Sequence, residues 1–188
     1  MLRSLRISVV LLILCGGVYP VLVTGIGQAL FHYQANGSII SGSDGNPVGS
    51  ELIAQAFDKD VYFQPRPSAA GADGYGATQS GGSNLGPTNA ALISTVRDRV
   101  AVYRSQNGLA PDMPVPADAV TASGSGLDPN ISPANAFLQV HRVAVARNLP
   151  EEQVRVVVAQ HIEGRTLGIF GEPRVNVLLL NLAVDNMK

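Results

Sequence analysis

The spacing of apolar residues changes along this chain, and each spacing predicts a different element. From Ile7 to Phe31 no side chain carries a formal charge for 25 residues, and fourteen of them are Leu, Ile, Val or Phe. A helix of that length reaches roughly 37 Å, more than the hydrocarbon thickness of about 30 Å. Its apolar residues favour insertion by on the order of 6 kcal/mol before Ser8, Pro20, Gln28 and the glycines subtract. The run exceeds the 7–15 residues of a usual signal-peptide core and does not end on an A-x-A site, so a retained transmembrane helix over residues 7–31 is predicted. Arg3 and Arg6 precede it and the first formal charge after it is Asp44, which orients the amino terminus (1–6) to the cytoplasm and the remainder outside.

Beyond the span the pattern breaks into short pieces. Residues 32–49, rich in Gly, Ser and Asn from position 36, read as a linker. Residues 50–188 read as one α+β domain of about four helices and a few strands. Ser50–Phe57 suits a short helix and Val61–Gln64 a strand. Residues 65–89, with six glycines and three prolines, suit neither. Leu92, Val96, Val100 and Tyr103 share one helical face that Asn107-Gly108 ends. A strand is expected near Ala119–Ser123, then turns to Asn130. Ser132-Pro133 is a cap followed by proline at the first helical position, and Phe137, Val140, Val143 and Ala144 continue that helix. Pro150, Glu151 and Glu152 start another, with Val154, Val157, Val158, His161 and Ile162 as its stripe. Arg174–Val184 reads as a buried strand.

Composition narrows the chemistry. A formal net charge of −1 offers nucleic acid no attraction. Cys15 is the only cysteine, so neither an internal disulfide nor a thiolate metal site can form, and Leu14 before it is too large for lipoprotein processing. His32, His141 and His161 have no metal-binding spacing, and no metal site is expected. Ser123-Gly124-Ser125-Gly126 lacks the G-x-S-x-G elbow, the Gly-rich segment has no P-loop lysine, and Asp58-Lys59-Asp60 is not a phosphorylation motif. No catalytic residue is expected. An anchored hydrolase is the weakest reading, and an anchored binding protein for a small solute, cradled by Pro65–Asn89, is the alternative.

Seven stretches in order resemble the C subunit of the Kdp potassium-transporting P-type ATPase. They are Thr24–Gln28 (TGIGQ), Gly49–Gln55 (GSELIAQ), Tyr62–Ala69 (YFQPRPSA), Ser80–Asn89 (SGGSNLGPTN), Ala122–Pro133 (ASGSGLDPNISP), Arg142–Arg147 (RVAVAR) and Arg174–Ala183 (RVNVLLLNLA). Pro65 and His141 depart from the family pattern, which often has glycine and proline there.

The resemblance implies a non-catalytic, single-pass subunit of a bacterial inner-membrane pump, with its carboxy-terminal domain periplasmic. Its partners would be the P-type ATPase catalytic subunit, a channel-like potassium-binding subunit, a small single-span subunit and membrane lipid. ATP and potassium would be handled by the complex, with no cofactor on this chain. The family is also described as a catalytic chaperone that raises ATP affinity in the ATPase subunit, an effect that an external domain must transmit as coupling across the membrane. If nucleotide contact occurs, Gln139 is the candidate, against a reading of that residue as a solvated helix position. Gly16, Gly17, Gly25 and Gly27 are candidates for close helix–helix approach. Arg66 and Asn84 are candidates for shaping the dock on a partner. Asp73 is the only carboxylate in the Gly-rich loop, too little for a potassium site on this chain.

Overall fold

The computed structural model describes residues 2–42 and 44–187 and divides into two compact units, Met1–Ser50 and Glu51–Lys188. In the first unit, α1 (Leu2–Ile13), a π-helical turn (Leu14–Val18) and α2 (Tyr19–Leu30) form one continuous helix. It is the one helix among the described residues long and apolar enough to cross a membrane, and none of its side chains is buried within the chain. The π turn has a cause in the sequence. Pro20 has no N–H to donate and its ring crowds the preceding turn; widening that turn, where the Tyr19 N–H bonds the Leu14 carbonyl, lets the helix continue. The stretch read as a linker carries a helical turn, α3 (His32–Ala35), and an antiparallel hairpin of β1 (Ile39–Ser41) and β2 (Pro47–Ser50).

The second unit is α+β, as the sequence predicts. Its helices are α4 (Ala90–Gln106), the short α5 (Ala117–Val120), α6 (Pro133–Arg147), α7 (Glu151–Gln160) and α8 (Val177–Asp185). Strands β3 (Asn130–Ile131), β4 (Ile162–Glu163) and β5 (Arg174–Asn176) form an antiparallel sheet with β5 in the middle, Ile131 and Ile162 both opposite Val175. The core lies where α6, α7 and α8 meet this sheet: Val140 and Val143, Val154 and Val158, and Leu180 and Val184 are fully buried around Phe63.

The expected start of α6 and end of α4 are present in detail. Ser132 accepts the Asn135 N–H with Pro133 in the first turn, and α4 ends at Asn107. Its cap is Asn89, which accepts the N–H groups of Ala91 and Leu92.

Three expectations are corrected. Ser50–Phe57 is not helical: the Ala54 N–H donates to the Leu127 carbonyl, a distant bond in place of an i−4 bond. Ala119–Ser123 is not a strand: Ala119 and Val120 close the single turn α5, which Pro116 starts, and Thr121 is its cap. Arg174–Val184 is strand only to Asn176, whose side chain accepts the Leu179 N–H and so caps α8. Burial of Val177, Leu178, Leu180, Asn181 and Val184 then follows a helical period.

Candidate functional site

Val61–Gln64, predicted as a strand, joins no sheet among the described residues, yet its backbone is almost completely bonded. Arg142 Nη1 donates to the carbonyls of Asp60 (2.7 Å) and Tyr62 (3.0 Å), and Arg147 Nε to that of Val61 (2.6 Å). Asn181 clamps Phe63, its Oδ1 accepting the N–H at 2.7 Å and its Nδ2 donating to the carbonyl at 2.9 Å. Gln139 clamps Gln64 in the same way, at 2.7 and 3.1 Å. A side-chain amide offers the same donor and acceptor as a peptide, so α6 and α8 play the part of a neighbouring strand. Residues 60–64 thereby form a rigid strap over the helices.

The clamps belong to a wider buried network. Gln139 Oε1 also accepts from Arg142 Nη2 (2.8 Å), and its Nε2 donates to Asn135 Oδ1 (2.9 Å). Tyr103 OH donates to the same Asn135 oxygen (2.8 Å). Asp118 accepts from Asn135 Nδ2, Ser132 N and Ser132 Oγ at 3.0, 2.7 and 2.9 Å, placing a carboxylate at the amino end of α6 where the helix dipole favours it. Burial raises the pKa of Tyr103 and lowers that of Arg142, each against its charged form.

The Gly-rich segment continues from the strap and is ordered by a second segment, residues 122–128. Ser68 Oγ donates to the Gly126 carbonyl (2.7 Å) and accepts the N–H groups of Ala70 and Tyr75 (3.1 and 2.8 Å). Gly81 N–H and Ser80 Oγ both donate to the Ser125 carbonyl. The two backbones touch: a Cβ on Gly126 would lie 2.6 Å from the Gly81 oxygen and 2.8 Å from the Ala70 nitrogen, and the φ of Gly126 is +68°. Serines 68, 80, 123 and 125 serve these turns, while His141 pairs with Glu151 and His161 with the Val157 carbonyl.

The sequence-derived candidates fall into different surroundings. Gln139 is 1 % exposed, which corrects its reading as a solvated position; an amide on an otherwise buried face is retained because the strap satisfies it. It would meet a nucleotide only by giving up bonds it already makes. Arg66 is a local clasp, with Nη1 3.2 Å from Asp128 Oδ2 and Nη2 3.4 Å from the Ala122 carbonyl. Asn84 is exposed on the loop at φ +53°, a conformation asparagine tolerates. Gly16 and Gly17 lie in the π turn, and Gly25 and Gly27 in α2; a Cβ on Gly17, Gly25 or Gly27 would meet nothing within 4 Å among the described residues. Asn135 and Asn181 were not singled out from the sequence, although amides inside apolar helical stretches (PANAFLQV, LLLNLAV) are a readable signal of such clamps.

Comparison with known proteins adds what this geometry lacks. The family described as "KdpC: K+-transporting ATPase, c chain" matches residues 1–186. The chain belongs to the KdpC family. Curated KdpC relatives named "Potassium-transporting ATPase KdpC subunit" include those of Gemmatimonas aurantiaca, 54 % identical over 184 residues (98 % of this chain, 91 % of the relative), and Mycobacterium tuberculosis, 51 % identical over 187 residues (100 % and 98 %). That of Sorangium cellulosum is 54 % identical over 194 residues and is covered completely, as is this chain. The KdpC match thus takes in the apolar helix, the strap and both facing loops.

Proposed function

We propose that this chain is a non-catalytic accessory subunit of a potassium-transporting P-type ATPase. The observation that carries this is its relation, from end to end, to proteins named as the KdpC subunit of that pump. In this reading the helix Leu2–Leu30 spans the inner membrane once. Arg3 and Arg6 hold its start in the cytoplasm, and residues 51–188 fold in the periplasm. The partners are the catalytic ATPase subunit, the channel-like potassium subunit and a small single-span subunit, with lipid around the helix.

The interior of the second unit supports an assembly role. Among the described residues no serine is paired with a histidine base, and Gln139, Asn181 and Arg142 are committed to holding the strap. Any rise in ATP affinity is therefore transmitted as a coupling between conformations, not made by contact from Gln139. The open glycines at 17, 25 and 27, with Gly16 beside them in the π turn, suit close approach by another helix. Asn84, exposed on the Gly-rich loop, is the better of the two loop candidates for meeting a partner, since Arg66 is engaged with Asp128. The alternative of a solute-binding protein draws on the cleft between Phe57, Tyr75 and Arg99, but at about 280 Å3 this is at the small end for ligand sites and is widely open.

Co-purification of the full chain from native membranes in mild detergent tests the proposal. Recovery with a P-type ATPase and a channel-like subunit, and with potassium-stimulated ATP hydrolysis, is expected. Recovery of the chain alone, with those subunits well expressed, would overturn it.

A further inference from the structure

Between β4 and β5 the second unit carries a small hairpin whose tip is apolar. Thr166 and Phe170 exchange two backbone bonds of 2.9 Å, and the turn is closed by Ile169 N–H to the Thr166 carbonyl (3.2 Å) and Gly168 N–H to the Arg165 carbonyl (3.0 Å). Leu167, Ile169 and Phe170 project from it with 84, 72 and 63 % of their surfaces exposed, and Leu167 is the most exposed large apolar residue of the described chain. Leu167 also has a φ of +55°, next to Gly168 at +75°. A leucine is poorly suited to that conformation, and its side chain gains nothing by burial within the domain. An apolar residue held both strained and exposed points to a use outside the domain.

We infer that Leu167, Ile169 and Phe170 form a preformed knob that inserts into an apolar socket on another protein subunit of the transport complex. The inference rests on the proposed pump membership and adds a place of contact. Three observations favour this occupant. The closed backbone fixes the tip in advance, so little conformational freedom remains to be lost on docking. The charges around the base are already paired: Arg165 Nη2 lies 2.8 and 2.7 Å from the two carboxylate oxygens of Glu172, and Arg174 Nη2 lies 2.9 Å from Glu163 Oε2. An apolar centre within a neutral polar rim matches a protein hot spot. Residues 163–174 have no Trp, Tyr or Lys and no net charge, unlike a segment built for anionic lipid headgroups. Among the described residues, the clefts of a second copy's folded unit would set charged or amide groups such as Asp58, Arg99, Asp118 and His161 against this apolar tip, which favours a different subunit as the occupant.

Two measurements on the full chain, co-expressed with the other pump subunits, test this. With a photoreactive benzoyl-phenylalanine in place of Leu167, irradiation of native membranes is expected to yield an adduct with the mass of a different pump subunit. An adduct to lipid or to a second copy, or no adduct, would overturn the inference. Leu167→Gly combined with Phe170→Ser removes the knob while relieving the backbone at 167. Retention of this chain on the detergent complex should fall at least tenfold with its melting midpoint unchanged; wild-type retention would overturn the inference alone. Failure of the unmodified chain to recover any pump subunit would overturn the functional proposal along with it.

Discussion

Gly17, Gly25 and Gly27 of the amino-terminal helix and Gly82 and Gly126 of the two facing loops stand in opposite surroundings. Around Gly17, Gly25 and Gly27 there is open space; around Gly126 there is backbone at 2.6 Å. In the loops, glycine lets two segments of the same chain meet without side chains between them. In the helix, the room has been left and nothing from the described chain enters it. The same residue type thus marks a contact already made in one unit and a contact available to another helix in the other.

The sharpest way to break this comparison is Gly126→Val. Left-handed strain costs about 1–3 kcal/mol and forced overpacking about as much again, so a loss of roughly 2 to 6 kcal/mol is expected, a large part of a domain's stability. Chemical unfolding of the full chain in detergent measures it. A loss under about 1 kcal/mol would show that the loops can part freely.

Gln139→Leu extends the comparison to side chains that do the work of backbone. It leaves the N–H and carbonyl of Gln64 without their partner and should cost about 2 to 4 kcal/mol. Hydrogen exchange should rise first at Phe63 and Gln64, ahead of the α6 amides. Uniform exchange across the unit would mean that the strap has no stability of its own to lose.

Gly25→Leu with Gly27→Leu tests the open side. Unfolding of the second unit should not change, whereas retention in the complex should fall about tenfold, equivalent to about 1.4 kcal/mol. An intact complex in detergent would leave these glycines without a role in assembly.

The smallest effect is expected from pH. The Tyr75 hydroxyl donates to the Arg66 carbonyl (2.8 Å), and burial, with a contribution from Asp58, pushes its pKa from 10 up to about 12. The folded state therefore holds this proton more tightly than the unfolded chain. The stabilisation is complete below pH 10 and is lost as pH rises towards 12. Tyr75→Phe should flatten that alkaline limb of the stability curve. An unchanged limb would assign it to Tyr103, whose pKa is also raised by burial.

Much of the fold was legible where the physics is local. The uncharged run 7–31 is a helix-length solvent preference, Ser132-Pro133 and Asn107-Gly108 are boundaries made by neighbouring atoms, and the valines of α6 and α7 repeat at a helical period. The candidate site was legible only in part. Gln139 stood out as a residue, but its role did not, because its partner Gln64 is 75 positions away.

What the sequence by itself determined, then, is the long apolar amino-terminal helix, the end of α4 and the starts of α6 and α7, since each depends on residues within a turn or two. Only the tertiary structure decided that Val61–Gln64 is a strap paired with side chains, that α8 follows Asn176 in place of a long strand, and that the Gly-rich loops are ordered. The reason is distance along the chain. Asn181 completes the bonds of Phe63 from 118 residues away, and Gly126 meets Gly81 backbone to backbone. No pattern within either segment records the surface that the other will present.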